Sequence, residues 1–127
     1  MEAREAARRF VRTWERGWAV HDVETIVSLY AEDCVHRSMP FRPAHHGRAE
    51  LADYIRWSFE NEQVETVRFG EPYVDGDTAV AEFVVTSRED GKPATLAGCV
   101  IVRFDPSGSA VETRDYWHVA EGHVELG

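Results

Sequence analysis

A carboxylate and an imidazole are the side chains of this sequence best suited to proton transfer. Asp115 lies in the run RDYWH near the end of the chain, and His36 lies in the run CVHRSM. Alternate side chains of a strand point to opposite faces, so Asp115 shares a face with Trp117 and His36 shares one with Ser38. In an apolar interior, desolvation raises the pKa of a carboxyl group towards neutrality, where it can serve as general acid or base. We expect His36 to face Asp115 across that interior and to form a pair with it.

Both residues also have a plainer interpretation. Asp115 could be a structural carboxylate that pairs with Arg114 or caps a loop, and His36 could bind a backbone carbonyl at the rim of a pocket. Alternation favours an interior position for Asp115, because the opposite face of the same strand carries the more polar set, Glu112, Arg114, Tyr116 and His118. The residues themselves leave catalytic use open.

Large aromatic side chains supply the apolar surroundings that such a site needs. At helical spacing they are more often core than ligand contacts, and a buried Tyr30 needs a partner for its hydroxyl. The side chains that we expect around a bound molecule are Trp14, Trp18, Tyr30, Ser38, Trp57, Phe83, Val85 and Trp117.

The sequence contains no recognisable motif for binding a metal ion or a nucleotide. His45 and His46 are adjacent and cannot share one face of a helix or strand, and no HxH, HxxxH or HExxH spacing occurs. No glycine-rich phosphate loop or dinucleotide fingerprint occurs either. We therefore expect no metal and no cofactor.

The elements that must position these residues fall into two groups. Helical periodicity predicts a first helix that ends near residues 17–20, a second that Asp22 caps and that extends to Tyr30, and a third after Gly47. A brief strand at 34–39 and a loop at 40–47 lie between the second and third helices. From about residue 63 the period changes to two. Antiparallel strands are predicted at 64–74, 78–87, 94–104 and 110–119.

This order predicts an α+β fold in a single domain over residues 1–127. Three N-terminal helices cover one face of a strongly curved antiparallel sheet and enclose a pocket for a small ligand. The net charge of −9 argues against nucleic acid as a partner. No apolar run approaches the roughly 20 residues of a membrane-spanning helix. With no CxxC pair among its two cysteines, the chain is expected to be cytoplasmic.

Two stretches carry a resemblance to a known family. LYAEDCVHRSMPFRPAHHGRAEL (29–51) and TLAGCVIVRFDPSGSAVETRDYWH (95–118) resemble the SnoaL-like branch of the nuclear transport factor two-like (NTF2-like) superfamily, which includes polyketide cyclases, ketosteroid isomerases and limonene-epoxide hydrolases. The resemblance implies a cone-shaped fold. It also implies that Asp115 is the acid–base residue of the hydrolases, with His36 and Ser38 where those enzymes hold their water with a tyrosine and an asparagine. Phe83 and Val85 stand where the hydrolases have an arginine and a second aspartate.

Residues and resemblance together predict a cofactor-independent enzyme for a compact, mostly apolar substrate. Asp115 would act as general acid or base on the substrate, with His36 as its partner, in an isomerase, cyclase, dehydratase or hydrolase reaction. The alternative is a binding module for a small hydrophobic ligand, and a weaker one is a dimerisation domain whose aromatics fill the cavity. A homodimer is expected through the outer face of the sheet, where alternation places Glu82, Arg103, Arg114, Tyr116 and His118.

Overall fold

The helices lie in the first half of the chain and the long strands in the second. The structure, a computed structural model, describes residues 1–126. The helices are α1 (Ala3–Ala19), α2 (Val23–Val27) and α3 (Gly47–Phe59). The strands are β1 (Tyr30–Ser38), β2 (His45–His46), β3 (Glu62–Phe69), β4 (Tyr73–Asp75), β5 (Thr78–Glu89), β6 (Lys92–Phe104) and β7 (Ala110–Glu121). The α+β class and the three N-terminal helices are confirmed.

The first two helices pack closely because α1 carries a glycine at their contact. A Cβ at Gly17 would lie 2.7 Å from Cγ1 of Ile26, so only glycine allows α2 this near. Asp22 caps α2 as predicted, since its side chain accepts a hydrogen bond from the backbone N–H of Thr25 at 3.2 Å. No helix within residues 1–126 is long and apolar enough to cross a membrane.

The sheet has the order β2-β1-β7-β6-β5-β3, with β4 paired to β5. The antiparallel meander of β3, β5, β6 and β7 matches the prediction, but β1 joins the sheet parallel to β7. This pairing sets Ser38 opposite Asp115 and His36 opposite Thr113. The two stretches that carry the candidate catalytic residues are therefore neighbouring strands.

Three predicted boundaries were wrong. Tyr30 opens β1 instead of closing α2, because its pairing with Ala110 draws the chain into the sheet; its spacing from Ile26 fits a helix equally well. His45 and His46 form a short strand against β1 rather than a loop. The strand predicted at 64–74 is divided into β3 and β4, since the chain leaves the ladder at residues 70–72.

The core lies between the helices and one face of the sheet. It includes Phe10, Ile26 and Tyr30 from the N-terminal part, Leu51 and Ile55 from α3, and alternate residues of β5 and β6. Trp57 was predicted to belong mostly to the core, but it is 61% exposed. Its position on α3 points it to the rim, while Ile55 and Phe59 face inward.

Candidate active site

A cavity of about 440 Å³ lies between the helices and the sheet. Both candidate catalytic side chains line it, and so do most of the predicted contact residues: Trp14, Trp18, Tyr30, Ser38, Trp57, Phe83 and Trp117. Val85 does not line it; its side chain is fully buried beyond Phe83 on the same face of β5. The predicted contact with a ligand at Val85 is corrected on this ground. A cavity of this size suits a small molecule.

The carboxylate of Asp115 has one anchored and one open oxygen. Oδ1 accepts hydrogen bonds from the Ser38 hydroxyl at 2.6 Å and from Nε1 of Trp117 at 3.1 Å. The indole also donates to Oγ of Ser38 at 2.9 Å, which closes a three-membered network. Oδ2 accepts no hydrogen bond from residues 1–126. Because Asp115 lines the cavity, Oδ2 is the atom available to a bound molecule.

Burial changes the protonation of this carboxyl group. Desolvation raises the pKa of Asp115 to about 6, against the opposing effects of the hydrogen bonds from Ser38 and Trp117 and the charge of Arg42. The side chain is 18% exposed. At pH 7 the group is mostly ionised, yet basic enough to accept a proton from a substrate.

His36 lies beside Asp115 on the neighbouring strand, and not across the cavity as expected. Its Nε2 atom is 3.6 Å from Oδ2 of Asp115, which is beyond hydrogen-bond distance. Burial, and to a lesser extent the nearby His45, lower the pKa of His36 to about 4. The imidazole is therefore neutral at pH 7, and its contact with the carboxylate is not an ion pair.

The buried polar groups behind His36 favour one of its tautomers. Nε1 of Trp14 can only donate, and it does so to the Tyr30 hydroxyl at 3.2 Å. Thr113 lies beside the Tyr30 hydroxyl, and its Oγ1 is 2.7 Å from Nδ1 of His36. If Tyr30 donates to Thr113 and Thr113 to Nδ1, each of these buried groups is satisfied. The ring proton then sits on Nε2 and faces Asp115.

Sequence reasoning missed two residues at this end of the cavity. Tyr54, on α3, lies beside Ser38 and stacks on His45 with ring centroids 4.6 Å apart, and burial raises its pKa. The Arg42 guanidinium lies 5.2 Å above the Trp117 ring. Tyr54 follows Leu51 at helical spacing, which marks it as near the core, but no sequence pattern linked either residue to Asp115.

The donor set of the cavity fits organic acid–base chemistry. Among residues 1–126 no group of three or more His, Cys, Asp or Glu side chains is placed to hold a metal ion. The polar side chains of Asp115, His36 and Tyr54 line the cavity, with aromatic walls around them, and the ring centroids of His36 and Tyr54 lie 5.4 Å apart. Such a site can accept a proton at the carboxylate and stabilise charge on a nearby oxygen.

Comparison with known proteins gives a consistent result. A family model described as a SnoaL-like domain matches residues 7–113. Among solved structures, RV0760c from Mycobacterium tuberculosis superposes with a TM-score of 0.79 at 19% identity, over 92% of this chain and 96% of its own. A candidate SnoaL-like polyketide cyclase from Mesorhizobium loti gives 0.77 at 23% identity, over 91% and 99%. An LEH-like epoxide hydrolase from M. tuberculosis gives 0.73 at 19% identity, over 90% and 84%. These structures share the NTF2-like fold with this chain.

Proposed function

The chain belongs to the SnoaL-like domain family, and on that premise we propose that it is a cofactor-independent enzyme for a small, mostly apolar molecule. The reaction that the geometry favours is removal of a proton from a carbon next to a carbonyl group, followed by its return to another carbon. The observation that carries this proposal is the buried carboxylate of Asp115, with Oδ1 fixed by two donors and Oδ2 open to the cavity.

In this reaction Asp115 and His36 have different roles. Oδ2 of Asp115 takes the substrate proton, and the electron pair of the broken C–H bond moves into the carbonyl to give an enolate. The Nε2–H of the neutral His36 donates to the enolate oxygen, a role that a neutral imidazole can fill without giving up its proton. Nε2 and Oδ2 are 3.6 Å apart. A group bound between them can therefore lie within a hydrogen-bond length of about 2.8 Å from both atoms. Protonated Asp115 then returns the proton.

Epoxide hydrolysis is supported less well. The hydrolase pattern needs an arginine and a second aspartate on β5, and Phe83 and Val85 occupy those positions. Apolar side chains there cannot polarise a water molecule or an epoxide oxygen. A proton transfer that needs one carboxylate and one neutral hydrogen-bond donor requires no catalytic side chain from β5.

The proposal can be tested without the natural substrate. A panel of small cyclic and aryl ketones is incubated with the protein in D₂O, and exchange of the α-protons is followed by NMR. Asp115→Asn should abolish any catalysed exchange, whereas Asp53→Asn, an exposed carboxylate on α3, should leave it unchanged. Equal exchange rates in wild type and Asp115→Asn would refute the role of Asp115. No exchange, together with a chemically unaltered ligand retained through purification, would favour the binding module.

We also propose that two copies associate through the outer face of the sheet. Half-buried Val80, Val84 and Ile101 lie on that face with Cys99 and Tyr116. Apolar side chains ringed by polar ones are typical of an interface between copies. Ile101→Glu should convert a dimer to a monomer in sedimentation velocity, and a wild-type monomer at micromolar concentration would exclude the interface.

A further inference from the structure

A second buried carboxylate lines the same cavity, far from Asp115. Glu62 opens β3, which β5 and β6 separate from β7 in the sheet. Its side chain is only 8% exposed. Oε1 accepts hydrogen bonds from Nε1 of Trp18 at 2.9 Å and from His21 at 3.0 Å. The proposed proton transfer makes no use of this group.

The second oxygen of Glu62 is open. Oε2 accepts no hydrogen bond from residues 1–126. Among residues 1–126, Nε of Arg37 is the only fully buried side-chain nitrogen or oxygen atom that lacks a hydrogen-bond partner. Oε2 of Glu62 also lacks a partner, so it cannot be fully buried and must be accessible from outside the protein. A mostly buried carboxylate oxygen that faces open space needs a donor from outside the chain.

His21 holds Glu62 in this orientation. It lies between α1 and α2 with a left-handed backbone, φ 54°. Its ring stacks on Phe59, with centroids 4.2 Å apart and planes 9° from parallel. A carboxylate can only accept, so Nε2 of His21 donates to Oε1. The group is thus held in place at Oε1, and only Oε2 is left for a ligand.

The charges around this end favour a cation. Glu62 lies directly opposite Glu89 in the β3–β5 ladder, and like charges in that position repel. Glu60, Glu89 and Asp90 also line the cavity, whereas the only lysine or arginine among its lining residues, within the described chain, is Arg42. Arg42 lies above Trp117 at the other end. Lys92 is the neighbour of Glu89 in the β5–β6 ladder but forms no ion pair within residues 1–126.

We propose that this end of the cavity binds the protonated amine of an elongated, otherwise apolar ligand. The inference rests on the proposed function in one respect, that the ligand occupies the same cavity. One ammonium N–H donates to Oε2 of Glu62 in a charge-assisted hydrogen bond. The apolar middle of the ligand lies against Phe69 and Phe83, and its other end reaches Asp115.

The test uses two matched probes, 4-phenylbutylamine and 4-phenylbutan-1-ol, titrated into the intact protein by calorimetry at low ionic strength. A charge-assisted hydrogen bond predicts that the amine binds about tenfold more tightly than the alcohol. Glu62→Gln should remove this preference. Glu65→Gln, which makes the same charge change on the outer face of β3, should keep it. Asp115→Asn should also keep it, because the amine binds at the other end.

The outcomes separate this inference from the proposed function. Equal affinity for both probes in wild type would overturn the amine site while leaving a binding cavity. Loss of the preference in Asp115→Asn but not in Glu62→Gln would place the amine at Asp115 and also overturn it. If neither probe binds, the ligand-binding cavity itself is wrong. If Glu62→Gln does not fold, the test uses wild type alone. A preference for the amine over the alcohol that is lost at high salt supports the amine site, and a preference that salt leaves unchanged overturns it.

Discussion

The two ends of the cavity repeat one arrangement with one difference. At each end an indole N–H donates to one oxygen of a mostly buried carboxylate: Trp117 to Asp115, and Trp18 to Glu62. At each end a histidine lies next to that carboxylate. His21 contacts Glu62 directly at 3.0 Å, whereas His36 stays 3.6 Å from Asp115 because Thr113 holds its other nitrogen.

We propose that this difference distinguishes a carboxylate that anchors the ligand, Glu62, from one that takes the proton, Asp115. His21 is 29% exposed, and its direct hydrogen bond satisfies the oxygen that it contacts. His36 is buried and neutral, so it does not compensate the charge of Asp115, and burial raises the pKa of that carboxyl group to about 6. In the proposed function, the same residue types therefore serve as an anchor at Glu62 and as a base at Asp115.

Removing each carboxylate should give the largest contrast between the ends. Asp115→Asn should lower kcat by about 10²–10⁴, the range for loss of a general base. Glu62→Gln should leave kcat nearly unchanged and raise KM for an amine substrate about tenfold. Steady-state kinetics on one exchange substrate measures both parameters. A large loss of kcat in Glu62→Gln would make the two ends equivalent and contradict the comparison.

The pH dependence of stability should distinguish Asp115 from His36. Asp115 binds its proton more tightly in the folded protein, with a pKa of about 6 against 3.8, so protonation stabilises the fold as pH falls from 6 to 4. His36 has a lowered pKa of about 4 against 6.5, so its stabilisation is present above pH 6.5 and is lost as pH falls to 4. In wild type the two effects oppose each other.

Single variants expose each effect. Relative to wild type, Asp115→Asn should lose up to about 3 kcal/mol of unfolding free energy between pH 7 and 4, because only His36 remains. His36→Asn should gain a similar amount over the same interval. Urea unfolding at the two pH values measures both. Parallel pH profiles for the two variants would mean that neither group titrates abnormally.

A smaller effect is expected from the hydrogen-bond chain behind His36. Trp14→Phe removes the donor that orients Tyr30, so the Nε2–H tautomer of His36 is no longer enforced. We expect a loss of kcat of a few-fold, about 1 kcal/mol, with little change in KM. The ¹⁵N shifts of His36 should move from a single Nε2–H form towards a mixture. Unchanged shifts would show that Thr113 alone sets the tautomer.

The smallest effect concerns Arg42. Its charge lowers the pKa of Asp115, against the dominant effect of burial. Arg42→Gln should therefore raise the pH at which activity is half-maximal, without lowering the rate on the alkaline side. A pH–rate profile of this variant beside wild type checks the direction. A downward shift would mean that Arg42 acts through the position of Trp117 rather than through its charge.

Local pattern predicted much of the fold and part of the site. The period of two, the more polar opposite face and the family resemblance together predicted that Asp115 faces inward on β7. Helical spacing placed Trp14 and Trp18 on the face of α1 that lines the cavity. These follow from neighbours a few residues apart. The relation of Asp115 to His36 depends on the parallel pairing of the first long strand with the last, which no local signal reports.

The other site residues that the sequence did not reveal were missed for the same reason. Tyr54 reaches Ser38 from α3, and Glu62 meets His21 across 41 residues of chain. Neither contact follows from spacing, because each depends on how the helices pack over the sheet. Phe83 lines the cavity, whereas Val85 on the same face of β5 is fully buried and does not, a difference that alternation alone cannot predict.

The role of Asp115 as a base is tested most directly by measuring the ionisation of its carboxyl group. Selective ¹³C labelling of aspartate carboxyl groups allows their titration by NMR, and the resonance lost in Asp115→Asn assigns the signal. We predict a midpoint near pH 6, well above the ordinary value for an aspartate side chain. A midpoint near pH 4 would show that Asp115 is an ordinary structural carboxylate and would contradict its role as a base.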